Sequence, residues 1–396
     1  MLVYEFKVKA NKHQCQAINE AIRISQFIRN KCLRLWLDSS KEDKINCFAL
    51  NKLTKVLADN KAEFPFVANL NSMARQASAE RAWFAISRFY DNCKKKITGK
   101  KGFPKFKKNS RSVEYKTSGW KLSQDRKYLT ITDKTGIGGL KLIGTYDLHY
   151  YQIEQIKRIR LIKRADGYYA QFCIDQKRLE DCTPTHNALG LDVGLESFYT
   201  DSNGDKVENP RFLRKAEKKL KRLQRSLSRK RGGSNNRSKA RQKLARQHLK
   251  VSRQRKDFAV KLARCVMISN DIVVIENLNI KGLARTRMAK SVTDASWSLF
   301  RQWLEYFAKV FQRKLVAVNP NYTSQDCSSC GERVKKSLST RTHICECGIV
   351  LCRDHNAAIN ILNKGLDAVG RTESLNDSGQ INLCLVSESL LDKLAG

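Results

Sequence analysis

Between Tyr322 and Gly348 the sequence runs YTSQDCSSCGERVKKSLSTRTHICECG, which places four thiols at Cys327, Cys330, Cys345 and Cys347. This spacing constrains the local fold more than any other feature of the chain. Fourteen residues separate Cys330 from Cys345, so two short hairpins can bring two thiol pairs to one point. Four thiolates at one point form a tetrahedral Zn²⁺ site, and such a site supplies folding energy to a module too small to build a core. A glycine follows the second cysteine of each pair, at Gly331 and Gly348, where it relieves the tight turn around the sulfur. The second pair is C-x-C, one residue shorter than the first. Cys347, next to Gly348, keeps the knuckle position. Cys345 has two rivals as ligand, His343 and Cys352, and the bland alternative to the whole site is four unrelated buried thiols. The remaining cysteines, Cys15, Cys32, Cys47, Cys93, Cys173, Cys182, Cys265 and Cys384, are scattered and read as small buried hydrophobes.

Charge narrows the partners. The 396 residues carry 76 Lys+Arg against 38 Asp+Glu, a formal charge of +38. That excess makes a folded chain repel itself, and its usual counterpart is a polyanion. A hydrophobic content of 41% is enough for real cores and argues against wholesale disorder. No apolar run is long enough to span a bilayer, and Met1 to Lys12 has no apolar h-region, so neither a membrane span nor a signal peptide is expected. An odd count of 13 cysteines fits a reducing compartment. A cytoplasmic protein is the expectation.

Composition and punctuation divide the chain. Residues 2–9 (LVYEFKVK) alternate as a strand. Ile18, Ile22, Cys32, Leu33 and Trp36 share a helical face, as do Trp83, Ile86 and Tyr90, so 10–98 reads as a helical insert after a first strand. A basic loop, GKKGFPKFKKNSR (99–111), carries Lys105, Lys107, Lys108 and Arg111 as candidate nucleic-acid contacts, a solvated loop being the competing reading. Strand-like sequence follows to 182, including the Asp166-Gly167 hairpin, and with residues 2–9 it predicts a small barrel. From 185 the pattern becomes α/β, with LGLDVGL (189–195), a hairpin around Asp201–Gly204 and DIVVIENL (271–278). Residues 211–256 hold 20 Lys+Arg and one acid, Glu217. Weak helix formers at 232–236 break this stretch into two helices, which either contact nucleic acid or stand solvated. Trp297, Phe300, Leu304, Phe307 and Phe311 mark one helix face. Residues 367–396 turn acidic and read as a weakly ordered tail.

Three acids stand where carboxylates are costly. Asp192 lies inside an apolar strand, Glu276 ends another, and Asp354 begins a helix rich in alanine and isoleucine. A lone buried acid usually has a paired base and a structural role. Three on adjacent elements of one layer can instead share Mg²⁺ or Mn²⁺, and two such ions activate a water and stabilise the leaving oxygen of a phosphodiester. Strand Asp, strand Glu and helix Asp is the order found in ribonuclease H-like nucleases. His355, beside Asp354, either tunes that site or is a surface histidine.

Together the segments GLDVGLESFYTDSNG (190–204), VVIENLNIKGL (273–283), SWSLFRQWLEY (296–306), VNPNYTSQDCSSCG (318–331) and CRDHNAAINIL (352–362), with FKVKANKHQ (6–14) and GFPKFKK (102–108), resemble the TnpB (OrfB-type) proteins of bacterial insertion sequences, compact relatives of type V CRISPR effectors. The resemblance implies an RNA-guided DNA endonuclease that cleaves beside a short flanking motif. Its guide RNA would come from the transposon right end and its target would be double-stranded DNA. It implies a multidomain α+β chain: a wedge-like β-barrel at 1–9 and 99–182, a recognition insert at 10–98, and a RuvC-like nuclease domain at 185–318 and 350–366. A zinc ribbon at 319–349 would interrupt that domain, and a tail at 367–396 would follow it. Asp192, Glu276 and Asp354 fall on the family's catalytic, Mg²⁺-binding acids, and Cys327, Cys330, Cys345 and Cys347 on its zinc ligands. A catalytically silent RNA-guided repressor and a compact CRISPR effector are the alternatives, and a monomer is the favoured state.

Overall fold

The computed structural model describes residues 1–370 apart from 41, 42, 44, 98, 338 and 339, together with a strand pair at Glu373–Leu375 and Ile381–Leu383. The expected tail beyond 370 lies almost wholly outside the described residues, as does Cys384. The chain divides into two compact units, Met1–Lys177 and Arg178–Gly396.

The first unit begins with β1 (Leu2–Lys9), then α1 (Lys12–Asp38), α2 (Cys47–Asp59) and α3 (Ser72–Lys94). Strands β2 (Ser112–Lys116), β3 (Trp120–Leu122), β4 (Tyr128–Ile131), β5 (Gly138–Ile143), β6 (Ile156–Arg164) and β7 (Gly167–Ile174) complete it. Helix α1 starts at a capping box, in which Asn11 accepts the Gln14 N–H and Gln14 reaches back to the Asn11 N–H, satisfying two otherwise orphaned donors. The sheet order is β2-β6-β7-β1-β5-β4-β3. Its two edge strands are joined by only Thr117–Gly119, so the sheet has to curl almost fully round. No ladder joins β2 to β3 among the described residues, so the expected barrel is a curled, partly open sheet. The helical insert shares its core with the sheet. One hydrophobic cluster runs from Ile18, Ile28 and Leu33 of α1 through Ile86 of α3 to Leu129, Leu161 and Phe172 of the sheet.

The second unit is built on β8 (Ala188–Val193), β9 (Ser197–Asp201) and β10 (Lys206–Glu208), then α4 (Phe212–Ser228) and α5 (Asn235–Ile268). There follow β11 (Ile272–Glu276), α6 (Ile280–Leu283), α7 (Ala289–Ala295), α8 (Trp297–Val310), β12 (Lys314–Val318), a small hairpin of β13 (Thr342–Ile344) and β14 (Val350–Cys352), and α9 (Arg353–Ala368). The main sheet has the order β10-β9-β8-β11-β12, antiparallel up to β8 and parallel from β8 to β12. It is covered on both faces. Val273 and Ile275 of β11 pack with Ala263, Phe300, Leu304 and Phe307, whereas Ile272 and Val274 pack with Ile361, Leu362 and Leu366 of α9. This alternation is why β11 reads as a continuous apolar run. Among the described residues no helix is long and apolar enough to cross a membrane.

Candidate active site

The parity of the strands decides where the acids point. Leu191 and Ile275 are register partners on neighbouring parallel strands. Asp192 and Glu276 follow them, so both face the side that carries Gly190, Val274 and α9. Helix α9 lies unusually close. A Cβ on Gly190 would stand 2.3 Å from the Ala358 carbonyl oxygen, and one on Gly365 would stand 2.4 Å from Val274. This close approach places the third acid. Asp192 lies two strand residues beyond Gly190, roughly 6.6 Å. Asp354 lies one helical turn before Ala358, roughly 6 Å along α9. Asp354 thus stands near enough for its charge to act on Asp192.

Electrostatics agree with this placement. The carboxyl of Asp192 is held well above the usual carboxylate range, first by burial and then by the charges of Glu276 and Asp354, with Arg353 offsetting part of the effect. Glu276 is raised by burial, against the pull of a hydrogen bond from Thr323 and of Lys364. The Thr323 hydroxyl donates to Glu276 Oε1 at 2.6 Å. Arg353 Nε stands 3.4 Å and Arg341 Nη1 4.0 Å from the Asp354 carboxylate, and Arg341 also reaches Glu196 at 3.1 Å. Neighbouring carboxylates form an all-oxygen donor set, the kind a hard divalent cation fits.

The four cysteines do converge. Among the described residues they are the one group of potential ligand atoms lying within 4.8 Å of one another. The sulfurs of Cys327 and Cys347 are 3.7 Å apart, and those of Cys330 and Cys345 are 3.5 Å apart. Tetrahedral Zn–S bonds of about 2.3 Å require sulfurs about 3.8 Å apart. Burial raises the Cys327 thiol, but the N–H groups of Cys330 and Ser329 more than offset this and bring it to about 7. Gly331 and Gly348 have φ of +80° and +90°, the left-handed region that both knuckles need. The C-x-C therefore works as it stands, and the rivals lie elsewhere. His343 is fully buried, with its Nδ1 against Lys336, while the Cys352 sulfur meets Lys206 Nζ at 3.3 Å.

Other expectations change. The break at 232–236 separates α4 from α5, and of the basic side chains in 211–256 all but Arg237 and Arg255 are exposed. Lys105, Lys107, Lys108 and Arg111 are exposed too. Their backbone is laid along α1 by two amides one turn apart. Asn30 exchanges hydrogen bonds with the Lys107 backbone at 2.9 Å each way, and Gln26 accepts from Ser110 N and donates to the Lys108 carbonyl. His355 is neither a free surface histidine nor a partner of the acids: its Nε2 meets the Ser202 carbonyl at 3.2 Å. Of the scattered cysteines among the described residues, Cys32 and Cys173 alone are buried; Cys93 and Cys265 are exposed.

Comparison with known proteins finds relatives of this chain. The OrfB IS605-type probable transposase model matches residues 171–287, and the Cas12f1-like TNB domain matches 297–361. A putative RNA-guided DNA endonuclease of Streptomyces pristinaespiralis is 41% identical over 187 residues, 46% of each chain. The chain is a homologue of the TnpB, or OrfB-type, proteins. The putative RNA-guided DNA endonuclease InsQ of Escherichia coli K12 is 28% identical over 302 residues, 71% of this chain and 72% of that one. The match to the Streptomyces protein spans about half of that protein's length. A Cas12f1 chain solved in complex with its sgRNA and target DNA covers 88% of this chain and is itself covered over 81%, with a TM-score of 0.52 at 15% identity; this likeness concerns the fold. In this TnpB homologue the OrfB match contains Asp192 and Glu276, and the TNB match contains all four cysteines and Asp354.

Sequence reasoning missed the residues that join the thiol cluster to the acids. Asn356 and Asn360, both buried on α9, donate to the Asp326 carbonyl at 2.8 and 2.7 Å, and Asn360 also donates to the Thr323 carbonyl at 2.9 Å. Asn356 accepts the Ser328 N–H at 2.9 Å. Two asparagines four apart inside an apolar helix were the available signal, because asparagine is a poor helix former unless its amide is occupied. Asp294 was also missed. It accepts from the N–H groups of Leu213 and Arg214 at 2.8 and 3.1 Å and from Arg255 Nη2 at 2.8 Å. It thereby caps α4 from outside and ties the root of the basic helix pair to α7.

Proposed function

We propose that this chain is an RNA-guided DNA endonuclease whose RuvC-like active site is Asp192, Glu276 and Asp354. The observation that carries the reading is the placement of these three acids on β8, β11 and α9 at one face of the sheet, where Asp192 is pushed up first by burial and then by the charges of the other two. The strand order β10-β9-β8-β11-β12 is the order expected of a ribonuclease H-like domain and supports assigning 185–318 and 350–366 to it. On this reading 319–349 is a zinc ribbon held by Cys327, Cys330, Cys345 and Cys347, the curled sheet is the wedge, and 10–98 is the recognition insert. The partners are a guide RNA and a double-stranded target, and the chain acts as a monomer.

The three carboxylates would hold Mg²⁺ or Mn²⁺, which when bound supplies Lewis acidity for phosphodiester hydrolysis. The chain's own residues prepare the site. Thr323 orients the Glu276 carboxylate, and Asn356 and Asn360 fix the segment that carries Thr323. Arg341 and Arg353 set the Asp354 carboxylate at the mouth of α9. The exposed lysines and arginines of α4 and α5 suit a duplex read through its backbone. The test is cleavage of double-stranded DNA in Mg²⁺ by the full chain purified with its own RNA. Asp192→Ala is expected to abolish cutting and spare RNA binding; cutting retained in that variant refutes the assignment.

A further inference from the structure

Next to Thr323 stands a residue that the active site does not explain. Tyr322 has a φ of +64°, in the left-handed region that costs a side-chain-bearing residue about 1 kcal/mol or more and that an aromatic rarely adopts. The residue is 49% exposed, so burial does not recover that cost. The Arg333 guanidinium lies 3.6 Å from the ring centroid. Arg333 is itself fixed: its Nε donates to Asp326 Oδ1 at 3.0 Å, and residues 326 and 333 form a β-bridge. The turn below is also fixed, since the N–H groups of Gln325 and Asp326 both donate to the Tyr322 carbonyl at 2.9 Å. The chain therefore holds a strained, half-exposed aromatic on a rigid base and braces it with a planar cation. The residue after it is hydrogen-bonded to Glu276.

We infer that Tyr322, braced by Arg333, is a stacking platform for an unpaired nucleobase of single-stranded DNA entering the acid cluster. The inference rests on the nucleic-acid reading above and adds a recognition element to it. Every base has a π-face, so such a platform tolerates any sequence. A guanidinium stacked on the ring adds positive charge beside the strand's phosphates while holding the ring in place. The strain is accounted for, because a residue free to take an ordinary φ would carry the ring away from the strand beside Glu276. Tyr322 is a positioning residue on this account, since it touches a base flanking the scissile phosphate rather than the reacting atoms.

The test measures binding of short single-stranded DNA carrying one 2-aminopurine to the full chain, with its copurified RNA, in Ca²⁺ across a salt series. The wild-type chain is expected to quench the fluorophore. Tyr322→Phe should behave like the wild type. Tyr322→Gly relieves the backbone strain, so its thermal midpoint should hold or rise. The same variant should lose the quenching and bind about fivefold or more weakly at every salt concentration. Its salt slope should stay unchanged, because no charge is removed. A glycine variant that binds and quenches like the wild type overturns the proposal. So does a phenylalanine variant that loses quenching, or a loss confined to the same sequence offered as RNA. Normal quenching by a chain that cuts nothing refutes the endonuclease reading and leaves the platform standing.

Discussion

Glu114 and Asp192 are both drawn out of water, yet their carboxyls move in opposite directions. Burial raises Glu114, but hydrogen bonds from Arg158 and Arg160 and their charges more than offset it, leaving the group below its usual range. The two arginines stand 2.8 and 2.7 Å away, and the Glu114 side chain is 4% exposed. Asp192 meets chiefly other acids and stays raised. The first arrangement holds a sheet together, and the second is the one the proposed metal site would use. A depressed folded-state pKa contributes stability that is present above the unfolded value and lost as pH falls through the folded one. Glu114→Gln is thus expected to cost about 3 kcal/mol at neutral pH, because it takes the carboxylate from Arg160 and leaves Arg158 with Glu80 alone. It should also flatten the acid limb of the stability profile, measured as urea midpoints against pH. Asp192 was legible in the sequence because an acid among Leu189, Leu191 and Val193 has no apolar explanation. Glu114 was not, because its partners arrive on a strand some way along the chain and only the ladder pairing Glu114 with Arg160 brings them together.

Helix α9 is the element on which the candidate site depends. Its sheet-facing side carries Asp354, Ala358 and Leu362, and another side carries Asn356 and Asn360 to the segment leading into Cys327. Its closeness to β8 rests on Gly190. Gly190→Ala should force α9 outward, destabilise the second unit by about 1–3 kcal/mol and abolish cutting while the four thiols keep their metal. Calorimetry, elemental analysis and cleavage check the three parts. The helix itself was legible from its apolar spacing, as were β1, the hairpin of β6 and β7, and the break between α4 and α5. Closure of the first sheet was not. Alternation along strands predicts which face is buried, but whether two edges meet depends on tilt and stagger around the whole sheet. The short α6 and α7 carried no period, and the fourth zinc ligand was ambiguous because C-x-C spacing alone does not say which way a knuckle turns.

At the scale of the molecule, the excess of positive charge has an address. Lys218, Lys219, Arg222, Arg225 and Arg229 line one open groove along α4, and α5 continues the basic surface. Charge that neutralises phosphates reveals itself through released counterions. Replacing Lys218, Lys219, Arg222 and Arg225 by glutamine is expected to lower the salt slope of RNA binding by about 0.7 to 0.9 for each phosphate that is no longer neutralised. An unchanged slope would mean that this groove meets only solvent. The first unit carries a different consequence, and it concerns synthesis. Strand β1 is not an edge: it pairs with β5 through Lys7–Lys9 and with β7 through Leu2–Val8. The ribosome makes this central strand before either neighbour exists. Its first partner, β5, is complete only at residue 143 and its second, β7, only at residue 174, so the sheet can close around it only then. A nascent chain halted near residue 130 would expose a strand with two free edges, and a translational pause there would be the point of greatest risk for aggregation.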